Sequence, residues 1–182
     1  MKIINLSSLN GSNGFRLDGG TEGNSSGASV SNAGDVNGDG FDDVLIGAPR
    51  ANPANFFNGS TYLVFGKATG FSAEVNLSSL DGSNGSRLDA GRADDNGVFS
   101  GTAISTAGDV NGDGLDDMII GAGGYGFDHP LGISYVVFGR TSTFGAAFAL
   151  AELDGKSGFF IGPGGNYSSF STTVSNAGDF NG

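Results

Sequence analysis

The chain contains no cysteine. No disulfide can brace it, and no thiolate is available as a nucleophile or a zinc ligand. Its single histidine, His129, lies in Phe127-Asp128-His129-Pro130. No spacing around it suggests a catalytic triad, and the many serines include no Gly-x-Ser-x-Gly elbow. His129 is therefore read as a solvated loop residue, and the chain is expected not to be an enzyme. Basic residues are also scarce, with 8 Lys and Arg against 19 Asp and Glu and a formal net charge of −11. Such a surface repels phosphate backbones, which argues against nucleic acid as a partner. No apolar run approaches the roughly 18–20 residues of a membrane span. Met1-Lys2-Ile3-Ile4 is too short a start for a secretory signal. Nor does any segment sustain a helical period over roughly 11 residues or more.

What is abundant is glycine, 35 residues in 182. It does not recur at every third position, so a collagen helix is excluded. Aromatic and β-branched residues are plentiful, which argues against disorder. The acidity is concentrated. Asp35-Val36-Asn37-Gly38-Asp39-Gly40-Phe41-Asp42-Asp43 returns as Asp109-Val110-Asn111-Gly112-Asp113-Gly114-Leu115-Asp116-Asp117, and starts again at Asp179-Phe180-Asn181-Gly182.

Side-chain oxygens at alternate positions of a tight turn suit a hard cation such as Ca²⁺, which takes six to eight oxygen ligands. In the first loop the expected ligands are the side chains of Asp35, Asn37, Asp39 and Asp43 and the main-chain oxygen of Phe41. Asp42 and Asp116 are expected to stay outside the ligand set, facing solvent or supporting it from behind. Mg²⁺ demands stricter octahedral geometry, and transition metals would favour nitrogen or sulfur ligands. An EF-hand needs a Glu at the twelfth loop position, where this chain has Ile46 and Ile120.

The loops belong to a longer repeat. Asn5-Leu6-Ser7-Ser8-Leu9 returns as Asn76-Leu77-Ser78-Ser79-Leu80, with a weaker copy from Leu150. Tyr62-Leu63-Val64-Phe65-Gly66 returns as Tyr135-Val136-Val137-Phe138-Gly139. A period near 70 residues with four short apolar runs predicts one four-stranded antiparallel sheet per repeat. In the first unit the strands are placed at 28–32, 43–48, 60–65 and 86–89. The last is read as an outer edge, and the Leu-Ser-Ser-Leu segment as a single helical turn. The second unit repeats this order through Ala103-Ile104-Ser105, Met118 to Gly121, Ser134 to Phe138 and Phe159-Phe160-Ile161. The architecture that fits is an all-β fold of β-propeller blades.

These residues resemble a known family. Gly-Asp-Val-Asn-Gly-Asp-Gly-Phe-Asp-Asp, then Ile46-Gly47-Ala48-Pro49, then Val64-Phe65-Gly66, is similar to the FG-GAP repeat. That repeat builds the seven-bladed propeller of integrin α subunits and related bacterial extracellular proteins. The second repeat departs from it in reading Gly121-Ala122-Gly123. The resemblance implies calcium ligation by Asp35, Asn37, Asp39, Phe41 and Asp43, and by Asp109, Asn111, Asp113, Leu115 and Asp117. Asp179 and Asn181 begin a third such site. About two and a half blades are expected. They divide as a first blade at 15–66 with loop 35–43, a second at 86–139 with loop 109–117, and a third begun at 159–182. A whole propeller closes with four to eight blades, so the chain is read as a fragment whose partners include the remaining blades.

The resemblance also implies an extracellular or cell-surface setting. The expected role is adhesion, with a protein or carbohydrate partner and no chemistry. The alternative is a non-catalytic arm of a larger secreted hydrolase. Strand alternation puts the metal loops and the Leu-Ser-Ser-Leu connections on one side of the sheets. The variable loops 49–59, 90–100 and 123–133 emerge on the other, where recognition is expected. Phe56, Phe57, Tyr125 and Phe127 on those loops are read as covering blade edges.

Overall fold

The computed structural model describes residues 5–51, 58–91, 98–123, 132–162 and 173–176. Its strands are β1 (Arg16–Asp18), β2 (Ser29–Gly34), β3 (Asp43–Ala48), β4 (Ser60–Val64), β5 (Glu74–Asn76), β6 (Gly85–Asp89), β7 (Ser100–Gly108), β8 (Asp117–Ala122), β9 (Ile133–Val137), β10 (Ala147–Ala149) and β11 (Gly158–Ile161). Strands β2, β3, β4 and β6 form one antiparallel sheet in that order, and β7, β8, β9 and β11 form the next. The fold is all-β, two propeller blades packed face to face. The Leu-Ser-Ser segments form single 3₁₀ turns at Leu6–Ser8 and Leu77–Ser79, matched by Leu150–Glu152.

Two features differ from the sequence reading. β6 is not an edge, because β10 pairs with it in parallel and extends the first sheet to five strands. β5 pairs with β1 in the same way, Arg16 opposite Glu74 as Arg87 stands opposite Ala147. The short strand after each Gly-Lys or Gly-Arg therefore crosses to the outer strand one repeat earlier. The second difference follows. Arg16–Asp18 belongs with β5, not with β2 to β4, so the sheets draw their strands from 29–89 and 100–161. They are displaced from the divisions 15–66 and 86–139.

The continuous apolar runs are explained by burial on both faces. Successive strand residues point to opposite sides. Leu45 and Leu63 enter the core between the two blades, with Met118, Ile120, Tyr135 and Val137 facing them. Ile46, Tyr62 and Val64 point the other way, beneath Leu77 and Leu80, with Leu17 and Phe71 packed alongside. Leu45 and Leu63 are fully buried, and each contributes roughly 1.5–3 kcal/mol by leaving water. The blades approach closely at Gly47. A β-carbon there would strike the Gly101 carbonyl and the Ser29 hydroxyl, and that hydroxyl donates to the Gly101 carbonyl at 2.7 Å.

Candidate metal loops and the joint between them

Each loop starts from a bulge. The β2–β3 register shifts between Asn32 and Gly34, and the β7–β8 register shifts between Thr106 and Gly108. The bulged backbone is held by its own side chains. Gly34 N–H donates to Asn32 Oδ1 at 3.0 Å, and Gly108 N–H to Thr106 Oγ1 at 3.2 Å. A bulge bends a strand and re-aims the next residue. Here that residue is Asp35 or Asp109, turned into the loop.

The chain then winds around that aspartate. Asp35 Oδ1 accepts from Gly38 N at 2.8 Å and Asp39 N at 3.0 Å, and Oδ2 accepts from Gly40 N at 2.8 Å. Asp109 receives the same three bonds from Gly112, Asp113 and Gly114. Asn37 Oδ1 accepts from Asp39 N, and Asn37 Nδ2 donates to Asp39 Oδ2, each at 2.9 Å. Asn111 and Asp113 repeat both bonds. Asp39 Oδ1 accepts from Phe41 N, as Asp113 Oδ1 accepts from Leu115 N. The two loops, which differ only in Phe41 against Leu115, thus adopt one geometry.

The closing aspartates are different in kind. Asp43 and Asp117 are fully buried. Asp43 Oδ2 accepts from Val36 N at 3.1 Å and Oδ1 from Gly66 N at 2.9 Å. Asp117 accepts from Val110 N and Gly139 N, each at 2.8 Å. Burial pushes the Asp43 carboxyl up to about 7, opposed by those two N–H bonds and reinforced by the negative charges of Asp39 and Asp35. Burial likewise raises Asp117, with Asp113 adding to it. Among the described residues neither is paired with a basic side chain.

The structure therefore gathers Asp35, Asn37 and Asp39 into one hydrogen-bonded turn, with Asp43 at its root, and does the same with Asp109, Asn111, Asp113 and Asp117. Among the described residues no three acidic, histidine or cysteine side chains already converge as a metal cluster. The donor set nonetheless fits a hard cation. It is all oxygen, it is acidic, and its innermost carboxylate is buried with no positive charge opposite. Asp179, Asn181, His129, Phe56, Phe57, Tyr125 and Phe127 lie outside the described residues, as does most of each variable loop. The shared side of metal loops and Leu-Ser-Ser-Leu connections is seen directly, because Asp39, Ser79 and Asn84 line one cavity of about 560 Å³.

Sequence reasoning missed two sets of residues. Gly66 and Gly139, which end β4 and β9, are the N–H donors to the buried aspartates. The recurrence of Val-Phe-Gly or Val-Val-Phe-Gly was the available signal. The other is Asp116, which joins the two loops. Its Oδ2 accepts from Asp35 N at 3.0 Å, and its own N–H donates to the Asp35 carbonyl at 3.3 Å. Arg140 N–H donates to the Val36 carbonyl at 2.8 Å beside it. The second loop thus clasps the first. Gly34 is required here, since its φ is +74° and a β-carbon would collide with the Asp116 carboxylate.

Comparison with known proteins agrees with this repeat. The FG-GAP repeat family model matches residues 26–64 and 100–137, which hold the first three strands and the candidate metal loop of each blade. Integrin alpha-PS5 of Drosophila melanogaster is 32% identical over 101 residues. The matched stretch is 54% of this chain and 9% of that relative's length.

Proposed function

This chain is built on FG-GAP repeats, and on that premise we propose that it is a calcium-stabilised β-propeller module. It works outside the cell or at its surface, binds a protein or carbohydrate partner, and performs no chemistry of its own. The observation that carries the calcium reading is the pair of buried carboxylates, Asp43 and Asp117, each at the root of an acidic all-oxygen turn and, among the described residues, without a basic partner. Asp35, Asn37, Asp39, Asp43 and the Phe41 carbonyl would hold one ion. Asp109, Asn111, Asp113, Asp117 and the Leu115 carbonyl would hold the second, and Asp179 and Asn181 begin a third set. Bound calcium supplies the positive charge that the loops lack. The loops supply a backbone already wound into the turn, so little ordering remains to oppose binding.

The same construction explains a structural role better than a catalytic one. The loop carboxylates are spent on backbone N–H groups and on the joint between blades, so an ion there tightens one sheet against the next. Recognition is assigned to the opposite side, where the variable loops emerge from a rigid scaffold.

Calcium that binds the native state and not the unfolded chain raises the melting temperature by mass action. Metal-free protein should gain thermal stability on adding calcium and lose it on adding chelator. The double variant Asp39→Ala, Asp113→Ala should show the same melting temperature in both. A wild-type melting temperature indifferent to calcium and chelator would refute the calcium reading.

A further inference from the structure

Lys67 and Arg140 hold the same position in successive repeats, each directly after the glycine whose N–H reaches a buried aspartate. Their surroundings differ. The Arg140 guanidinium lies between two rings, 4.0 Å from the centre of Phe144 and 4.5 Å from that of Phe148. Phe71 matches Phe144, but Val75 stands where the second repeat has Phe148. The Lys67 ammonium rests on one ring only, 4.8 Å from the centre of Phe71. Lys67, Phe71 and Val75 all line the cavity of about 560 Å³ beside the first metal loop, so it opens where the second repeat has packed rings. Its walls come wholly from residues 39–84 of one repeat. The outer strand of the preceding repeat is already in place beside them, with β1 paired to β5 and Phe15 stacked on Phe71 at 4.2 Å.

The lining is polar in a particular way. Glu74 and Asn76 stand where the second repeat has Ala147 and Ala149. Among the described residues Lys67 Nζ forms no ion pair, and Asn76 uses only its oxygens, accepting from Ser78 and Ser79. Two donor groups are thus left without acceptors. The hydroxyls are the opposite case. Ser79 Oγ donates to the Asn76 carbonyl and Ser83 Oγ to Asp81 Oδ1, each at 2.7 Å, so what each has left to offer is lone pairs. Neither sign of charge prevails. The Glu74 carboxylate is paired with Arg16 at 2.7 Å, and Asp39 lines the same cavity as Lys67.

We infer that this cavity is a further recognition site and that it takes a neutral sugar. A sugar hydroxyl both donates and accepts, so one ring accepts from Lys67 and Asn76 while it donates to Ser79 and Ser83. A charged ligand of either sign meets a like charge there, and a neutral one is not repelled by the chain's net charge of −11. Val75 and Phe71 supply apolar surface for the C–H face of the ring. The volume lies within the roughly 300–1,000 Å³ of small-molecule sites. The site is on the side of the metal loops, away from the variable loops, and it uses none of the calcium reading.

The test is an NMR titration of the full, isotope-labelled chain with the methyl glycosides of glucose, galactose, mannose and N-acetylglucosamine, each to about 10 mM, tenfold above a millimolar Kd. At least one should shift the backbone amides of Lys67, Val75, Asn76 and Ser79 saturably and leave those of Arg140, Phe148 and Ala149 in place. Val75→Phe copies the second repeat and fills the cavity, so it should abolish the shifts. Asn76→Asp keeps the oxygen that accepts from Ser78 N–H and removes the free donor, so it should weaken binding roughly 2- to 10-fold. The unshifted amides of the second repeat report that each variant is folded. If no glycoside moves the Lys67 to Ser79 amides, if the shifts fall elsewhere, or if a folded Val75→Phe or Asn76→Asp binds as the wild type does, the inference is overturned.

Discussion

Asp116 and Asp35 exchange two hydrogen bonds across the gap between the blades, carboxylate to amide at 3.0 Å and amide to carbonyl at 3.3 Å. Neighbouring aspartates thus do different work in one loop. Asp117 is buried and closes its own turn, while Asp116 reaches back to fix the turn before it. The metal loops are not independent turns on a common face. They are linked, the backbone of the first held by the second.

That linkage makes a contrast within the repeat. Asp116→Ala removes a charged acceptor from the Asp35 N–H and should destabilise the fold by about 1–2 kcal/mol in urea unfolding. Asp42→Ala alters the equivalent position, which has no such bond, and at low protein concentration should change stability by less than about 0.5 kcal/mol. Equal effects would mean that the joint contributes nothing beyond the general acidity of the loops.

The closing aspartates should be separable from the outer ones. Asp43→Ala leaves the Val36 and Gly66 N–H groups without their acceptor in a buried site. Each such loss costs about 1–3 kcal/mol, so a large destabilisation is expected even in chelator. Asp39→Ala changes an exposed side chain and should cost about 0.5 kcal/mol or less in chelator. With calcium present, both variants should lose the calcium-dependent increment. Unfolding curves of both variants in chelator and in calcium check this; an Asp39→Ala variant as damaged in chelator as Asp43→Ala would contradict it.

Arg140 makes a prediction that runs against the usual treatment of a buried charge. Its guanidinium lies 4.0 Å from the Phe144 ring centre and 4.5 Å from that of Phe148. Its Nε and Nη2 are buried with no hydrogen-bond partner among the described residues. Burial lowers its pKa, with no carboxylate opposing the shift. The side chain therefore acts mainly as a flat filler between two rings. Arg140→Met, which keeps length and apolar contact, should be neutral or stabilising, because no ion pair is lost. Arg140→Ala should cost about 1–3 kcal/mol through lost packing and cation–π contact. Thermal melts of the two variants decide it. A strongly destabilised Arg140→Met would reveal an anionic partner.

Much of this architecture was legible because the repeat states it twice. The apolar runs at β3, β4, β8 and β9 read as strands buried on both faces, and they are. The loops 35–43 and 109–117 read as oxygen-lined turns, and the structure winds both around their first aspartate. The parallel additions β5 and β10 were not legible. Glu74-Val75-Asn76 and Ala147-Phe148-Ala149 share no side-chain pattern, since what places them is backbone pairing with an outer strand of the preceding repeat. Asp116 was half legible. The spacing led to the expectation that it faces solvent or supports its loop from behind, but its partner lies in another repeat and only the packed blades bring the two together.

The Asx turns before β6 and β11 carry a pH dependence of definite sign. Asp154 Oδ1 accepts from Lys156 N, Ser157 N and Ser157 Oγ. The Ser157 and Lys156 N–H groups hold its carboxyl down at about 2, below the ordinary 3.8. A carboxylate whose pKa is depressed on folding contributes stability above its unfolded value and loses it as pH falls through the folded one. The turn should therefore be intact above about pH 4 and loosen progressively towards pH 2. Asn10 builds the equivalent turn in the first repeat with a neutral amide oxygen, accepting from Ser12 N, Ser12 Oγ and Asn13 N. Asp154→Asn should accordingly keep the turn and abolish its acid sensitivity. Amide exchange or the chemical shift of the Ser157 N–H, followed between pH 5 and 2 in both proteins, measures this. A wild-type Ser157 signal that does not move over that range, or an Asp154→Asn variant that titrates in the same way, would show that the carboxylate does not hold the turn.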